Sequence, residues 1–160
     1  MLEETIISMV KQTNEMRLEH APEFQARVSY CCFFCQNDEQ FKSLDKSVAS
    51  IGVIANNTPT GSVYIVPQIQ TPAGALRIVK VRKPDPTRTE LGDVDFALEN
   101  YTAFKSAYLN KAGFKLIERQ HFEMMELMDE KFQVRAYFSD PPVEEHPGIK
   151  EKLAENSESY

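Results

Sequence analysis

The sequence predicts an α+β fold: two pseudo-repeated β-α-β-β-β units forming a cupped mixed sheet with helices outside, preceded by an N-terminal helix. Three observations point there. Phe33, Asn37, Phe41, Lys42 and Ser43 recur as Phe96, Asn100, Phe104, Lys105 and Ser106, at a constant offset of 63 residues. Both sets run from a strand-like stretch through a helix-start signal into a helix. After a two-residue length difference, each helix meets a glycine, Gly52 or Gly113, and then a further apolar run.

Leu2, Ile6, Met9, Thr13 and Met16, with Val10 beside them, recur at spacings of three and four. That is one face of an amphipathic helix over residues 2–19. Ala21-Pro22 ends it, because proline disfavours helix in the residue before it. The stripe suits either a helix that covers a sheet or one that joins two copies of the chain.

Residues 27–35 are apolar and rich in strand formers. Asn37 offers an N-cap, with Gln40 three residues later as in a capping box. Phe41, Leu44, Val48 and Ile51 supply the buried stripe, and Gly52 suits the left-handed position past a helix end. Residues 56–61 read as a loop. Val63–Gln70 and Ala75–Lys83, around Thr71-Pro72-Ala73-Gly74, read as a hairpin.

Residues 83–92 hold two prolines and form the joint between halves, or a loop facing a ligand. Val94, Phe96 and Leu98 then alternate with Asp93, Asp95 and Glu99 as in a half-buried strand. Asn100 caps a helix with Tyr101, Phe104, Tyr108 and Ala112 on one face. Three strand-like runs follow, 114–119, 122–128 and 132–138, the last two joined through Asp129-Glu130-Lys131. The expected organisation is a helix over 1–22, one domain over 26–139 with halves 26–83 and 92–139, and an extended or disordered tail over 140–160. A short helix near 149–154 is the alternative for part of that tail.

The 160 residues are 42 % hydrophobic and 26 % charged, with a formal net charge of −6. Nucleic acid and anionic membranes select basic faces, so neither is expected as a partner. No apolar run nears the roughly 20 residues of a membrane-spanning helix. The start, Met1-Leu2-Glu3-Glu4, lacks the basic and apolar regions of a secretory signal, so a cytoplasmic location is the expectation.

Strand alternation assigns faces. Phe33 and Cys35 should face the first helix, with Tyr30, Cys32 and Phe34 on the other side. Aligning Asp85-Pro86 with Asp140-Pro141, at an offset of 55, pairs Lys80 with Arg135 and Arg82 with Tyr137. A curled sheet would then turn Lys80, Arg82, Arg135, Tyr137 and Asp95 toward its hollow. Guanidinium forks there suit a small carboxylate or phosphate. The alternative is that Asp93, Asp95 and Glu126 neutralise these cations in structural pairs.

Cys32-Phe-Phe-Cys35 sits between a strand and a helix as a redox pair does, but both cysteines precede the helix and fall on opposite strand faces. Buried, inert thiols fit better. A zinc site would need a second cysteine or histidine pair. His121, Glu123 and Glu126 are the best metal cluster in the sequence, and in a strand Glu126 lies on the opposite face from the other two. Phosphate loops, dinucleotide fingerprints and nucleophile elbows are absent.

A doubled β-α-β-β-β unit over residues 26–139 resembles the vicinal-oxygen-chelate superfamily, the group of glyoxalase I, bleomycin-resistance proteins and extradiol dioxygenases. The resemblance implies a cupped sheet with metal ligands on the first and last strands of each half. The corresponding positions here lie near Tyr30 or Cys32, Lys80 or Arg82, Asp93 or Asp95, and Arg135 or Tyr137. Most lack the family's His and Glu, and cations there would repel a divalent ion. The resemblance therefore implies the scaffold without metal or cofactor.

The reading that follows is a small-molecule binding protein for a polar or anionic ligand. Arg135, Lys80 and Arg82 would anchor the ligand, and Asp95 and Tyr137 would orient it. A metal-dependent lyase, isomerase or dioxygenase using Asp95 with Glu126 or His121 is the enzyme alternative. A homodimer built on the N-terminal helix or a free strand edge is the third.

Overall fold

A computed structural model describes residues 1–157. The helices are α1 (Leu2–His20), α2 (Asp38–Ile51), α3 (Tyr101–Tyr108) and α4 (Ile149–Glu155). The strands are β1 (Ala26–Phe34), β2 (Val53–Thr58), β3 (Gly61–Thr71), β4 (Gly74–Arg82), β5 (Gly92–Leu98), β6 (Phe114–Glu118), β7 (Glu123–Leu127) and β8 (Val134–Asp140). They form one mixed sheet in the order β2-β3-β4-β1-β5-β8-β7-β6. β1 pairs with β4 and β5 with β8 in parallel, and the other neighbours are antiparallel. Each half thus runs strand, helix and three strands, and the halves meet where β1 lies against β5.

The outer face is the main core. α1 buries Ile6, Met9, Val10, Thr13 and Met16, and it lies across β3, β5 and β8, so it packs on both halves. Gly92 makes this close approach feasible: an added Cβ would stand 2.1 Å from the Cys32 carbonyl oxygen and 2.6 Å from Met9 Sδ. α2 and α3 pack on the same face through Val48, Phe104 and Tyr108. Phe104 is the hub of an aromatic cluster, with ring centroids 4.5 Å from Phe138 and 5.4 Å from Phe24. Asn37 and Asn100 cap their helices as expected, accepting from the backbone N–H of Gln40 at 2.8 Å and of Ala103 at 3.1 Å. The Gln40 side chain closes the first cap by accepting from the N–H of Gln36, one residue before the cap.

Several expectations require correction. Gly52 is extended (φ −125°, ψ 178°) rather than left-handed; it is small because Ile65 O would lie 2.7 Å from a Cβ. Ile51 is 43 % exposed, since α2 ends at the sheet's edge. Ala112 lies past the end of α3. Residues 56–58 are strand, not loop: pairing of Asn57 with Ser62 and Thr58 with Gly61 overrides their weak strand preference. Register also replaces the offset of 55 between the last strands. Phe33 pairs with Val81, and its counterpart Phe96 pairs with Phe138, an offset of 57. Lys80 therefore corresponds to Tyr137, and Arg82 to Ser139. The two-residue difference is even, so every side chain keeps its face.

The segment expected to be an extended or disordered tail finishes β8, forms a short 3-10 turn at Val143–Glu145, and then forms α4. Val143 and Ile149 pack with Val63, Ile65 and Ile78 in a second apolar cluster on the inner face. That expectation for residues 158–160 lies outside the described residues.

Candidate functional site

Alternation along the strands sends one set of side chains to the helices and the other to the inner face. The inner set meets around a cavity of about 710 Å³. Strand β2 contributes Asn56 and Thr58, and β6, at the far edge, contributes Lys115 and Ile117. One hollow touched by both edge strands means that the sheet is cupped. Lys80, Arg82, Asp95, Arg135 and Tyr137 all line it, so the five residues singled out in the sequence do come together.

Register arranges the lining in rows. One row crosses four strands as Lys80, Cys32, Asp93 and Arg135. The next runs Tyr30, Asp95, Tyr137, Glu126 and Lys115. Arg135 is the most heavily engaged cation. Its Nε lies 2.9 Å from Glu90 Oε2, its Nη2 donates to the Thr87 carbonyl at 3.0 Å, and its Nη1 stands 3.9 Å from Glu126 Oε2. Burial works against this guanidinium, but hydrogen bonds to Glu90 and Tyr137 outweigh it and hold its pKa above the usual range. Arg135 and Arg88 both lie over the Phe34 ring, 5.6 and 5.3 Å from its centroid. Lys80 Nζ donates to Thr60 Oγ1 at 2.6 Å, and burial pushes its pKa down. Arg82 reaches Asp85 at 3.5 Å, while its buried Nε has no hydrogen-bond partner among the described residues.

The carboxylates differ in their partners. Asp95 accepts from Ser139 twice, from Oγ at 2.6 Å and from the backbone N–H at 3.2 Å. Burial still raises its pKa to about 7. Asp93 is also pushed up to about 7, by burial first and by Asp95 beside it, against the pull of Arg88, Lys80 and Arg82. Tyr137 donates to Glu126 at 2.7 Å; burial, with Asp93 and Glu126 nearby, raises the phenol's pKa.

The expected structural pairing of Asp93, Asp95 and Glu126 with the cations holds only for Glu126, which approaches Arg135. Glu90 makes the closer contact, and it comes from the connector over residues 83–91. That connector also sends Arg88 into the cavity, so it acts both as joint and as cavity wall. Sequence reasoning missed Arg88, Glu90 and Ser139 as individual residues. It also missed Val143, His146 and Ile149, which close one side. None sits in a motif, and the even offset of 57 was the one signal that could have brought Ser139 into view as the counterpart of Arg82.

The residues do not fit a metal centre. Among the described residues, no three His, Cys, Asp or Glu side chains gather as a possible ligand set. Cations hold two of the four positions where the resemblance would place ligands, and His121 does not line the cavity. The thiols of Cys31, Cys32 and Cys35 are free and buried, and burial raises Cys35 to about 11. No helix among the described residues is long and apolar enough to cross a membrane.

No protein-family model matches the chain, and no curated protein matches it. Solved structures do. A structural-genomics protein designated EC4020 superposes with a TM-score of 0.59 at 13 % identity, over 86 % of this chain and 82 % of the other. At that identity the likeness is one of fold. A Streptomyces coelicolor methylmalonyl-CoA epimerase variant, in complex with 2-nitronate-propionyl-CoA, is 10 % identical over 70 % of this chain and 96 % of the other, with a TM-score of 0.37.

Proposed function

We propose that the cup binds a small anionic or polar molecule without a metal ion, on a scaffold of vicinal-oxygen-chelate type. Arg135, Lys80 and Arg82 anchor the ligand, and Tyr137 and Asp95 line the place where it is oriented. The observation that carries this reading is the charge of the lining. Six basic residues, Lys80, Arg82, Arg88, Lys115, Arg119 and Arg135, face the cavity with three acidic ones, Asp93, Asp95 and Glu126. The whole chain has the opposite balance, −6. Burial raises the pKa of Asp93 and Asp95 to about 7, so these two acids offset the basic lining less than ordinary carboxylates would at neutral pH. Lys115 and Arg119 are exposed, but Lys80, Arg82, Arg88 and Arg135 are buried or half-buried, and there a cation favours an anion more than the same charge does in water.

Isothermal titration of the wild type and of Arg135→Ala with small mono- and dicarboxylates tests the reading. Weaker binding by the variant supports it. Equal affinity in both proteins, or no binding by either, defeats it.

A further inference from the structure

Asp93 stands apart from the other acids around the cup. Asp95 accepts from Ser139, Glu126 from Tyr137, and Glu90 pairs with Arg135. Asp93 lines the cavity and is only 9 % exposed, yet it accepts no hydrogen bond and forms no ion pair among the described residues. Lys80, Arg82 and Arg88 act on it through space without touching it. The Asp93 carboxyl oxygens are not sealed off from the cavity, so with no donor from the protein any hydrogen bond to them must come from what the cavity holds. The direction in which Asp93 is open is the cavity itself.

Its place in the sheet says what kind of partner fits. Asp93 lies in the row Lys80, Cys32, Asp93, Arg135, with a cation at each end. Adjacent strands are roughly 4.8 Å apart, so the two cationic positions are about 14 Å apart at the backbone. The Lys80 ammonium is held by Thr60 and the Arg135 guanidinium by Glu90 and the Thr87 carbonyl, so a ligand lying along the row would meet a held cation toward each end. Cys32, a small and uncharged residue, occupies the remaining place in the row, so Asp93 offers the row's one anionic acceptor. Such a row matches an anion at each end of a ligand and a hydrogen-bond donor between them.

We infer that Asp93 reads a hydrogen-bond donor on the ligand, so that the cup takes a small dicarboxylate bearing a hydroxyl or ammonium group between its carboxylates. This rests on the anion-binding reading above and narrows it. Asp93 here is a specificity-determining residue: it disfavours a bare dicarboxylate by repulsion and favours one that supplies the missing donor.

The test is isothermal titration, at a pH where Asp93 is ionised, with succinate, malate and aspartate, which share a four-carbon dicarboxylate frame. A hydrogen bond to a buried charge predicts that the wild type binds malate or aspartate about tenfold or more tightly than succinate. In Asp93→Ala that ratio falls to near one, and succinate binds at least as tightly as before because a repelling carboxylate has gone. Preference for malate assigns the donor to a hydroxyl, and preference for aspartate assigns it to an ammonium. Asp93→Asn keeps the size of the side chain without its charge, and must lower the same ratio if the alanine variant does not fold. Equal binding of the three by the wild type, or a preference that survives substitution, overturns the inference and leaves anion binding standing. Failure of succinate and both of its derivatives to bind the wild type overturns the two together.

Discussion

The Tyr137 hydroxyl donates to Glu126 Oε2 at 2.7 Å, and that same oxygen lies 3.9 Å from Arg135 Nη1. A phenol, a carboxylate and a guanidinium from two adjacent strands thus hold one another in place at the floor of the cup. Tyr137→Phe removes the donor and leaves a buried carboxylate oxygen with a distant cation. Loss of such a hydrogen bond should lower stability by about 1–3 kcal/mol, read from urea denaturation midpoints. An unchanged midpoint would show that this contact does not hold the floor together.

Glu90 competes with any external anion for Arg135, which it meets at 2.9 Å. Glu90→Gln should act in two directions. Stability should fall by about 1–3 kcal/mol, because a largely buried guanidinium loses its closest counter-charge while keeping an amide acceptor. Affinity for succinate should rise, because one carboxylate no longer occupies the fork. Paired thermal melts and titrations of the variant check both signs.

The buried aspartates make folding pH-dependent. Asp93 moves from an ordinary 3.8 to about 7 in the folded protein. Around it stand Asp95 on β5, Cys32 and Tyr30 on β1, Lys80 and Arg82 on β4, Arg135 and Tyr137 on β8, and Arg88 from the connector. A raised carboxyl keeps its proton in the folded chain after the unfolded chain has lost its own. Its contribution to stability is therefore unfavourable, develops as pH climbs from about 4 to about 7, and is constant above that. Asp93→Asn should stabilise the protein by about 4 kcal/mol near pH 8 and by almost nothing near pH 4. Denaturation at the two pH values reads the difference directly, and a pH-independent effect would contradict it.

Phe104 is fully buried among Phe24, Tyr108, Phe114 and Phe138 on the helix side of the sheet. Phe104→Ala should cost about 3–5 kcal/mol through lost burial and the cavity left behind. Because this side of the sheet faces away from the cup, a folded Phe104→Ala protein should keep the wild-type affinity for succinate. Calorimetry below the variant's melting transition checks that separation.

Which side of the sheet each residue takes was legible in the sequence because a strand has a strict period of two. Lys80, Arg82, Asp95, Arg135 and Tyr137 share a face for that reason alone, and the shift from an offset of 55 to 57 left the face unchanged. Position along the strand was not legible, since it depends on hydrogen-bond register between distant segments. Residues 56–58 read as a loop on local preference and became strand through pairing with β3. Val143 and Ile149 are isolated apolar residues in an acidic stretch, and their burial comes from Val63, Ile65 and Ile78 across the cup. Arg88 and Glu90 belong to a connector without periodicity, so nothing local aimed them inward.

Succinate titration of the wild type beside Arg135→Ala, at neutral pH and low salt, tests the central claim most directly. Saturable binding by the wild type, weakened tenfold or more in the variant, is the predicted result; a charge-assisted contact of this kind is worth about 1.5–3 kcal/mol. Identical affinities in two folded proteins, or no heat from either with succinate, malate and aspartate alike, would contradict the account of the cup as an anion site.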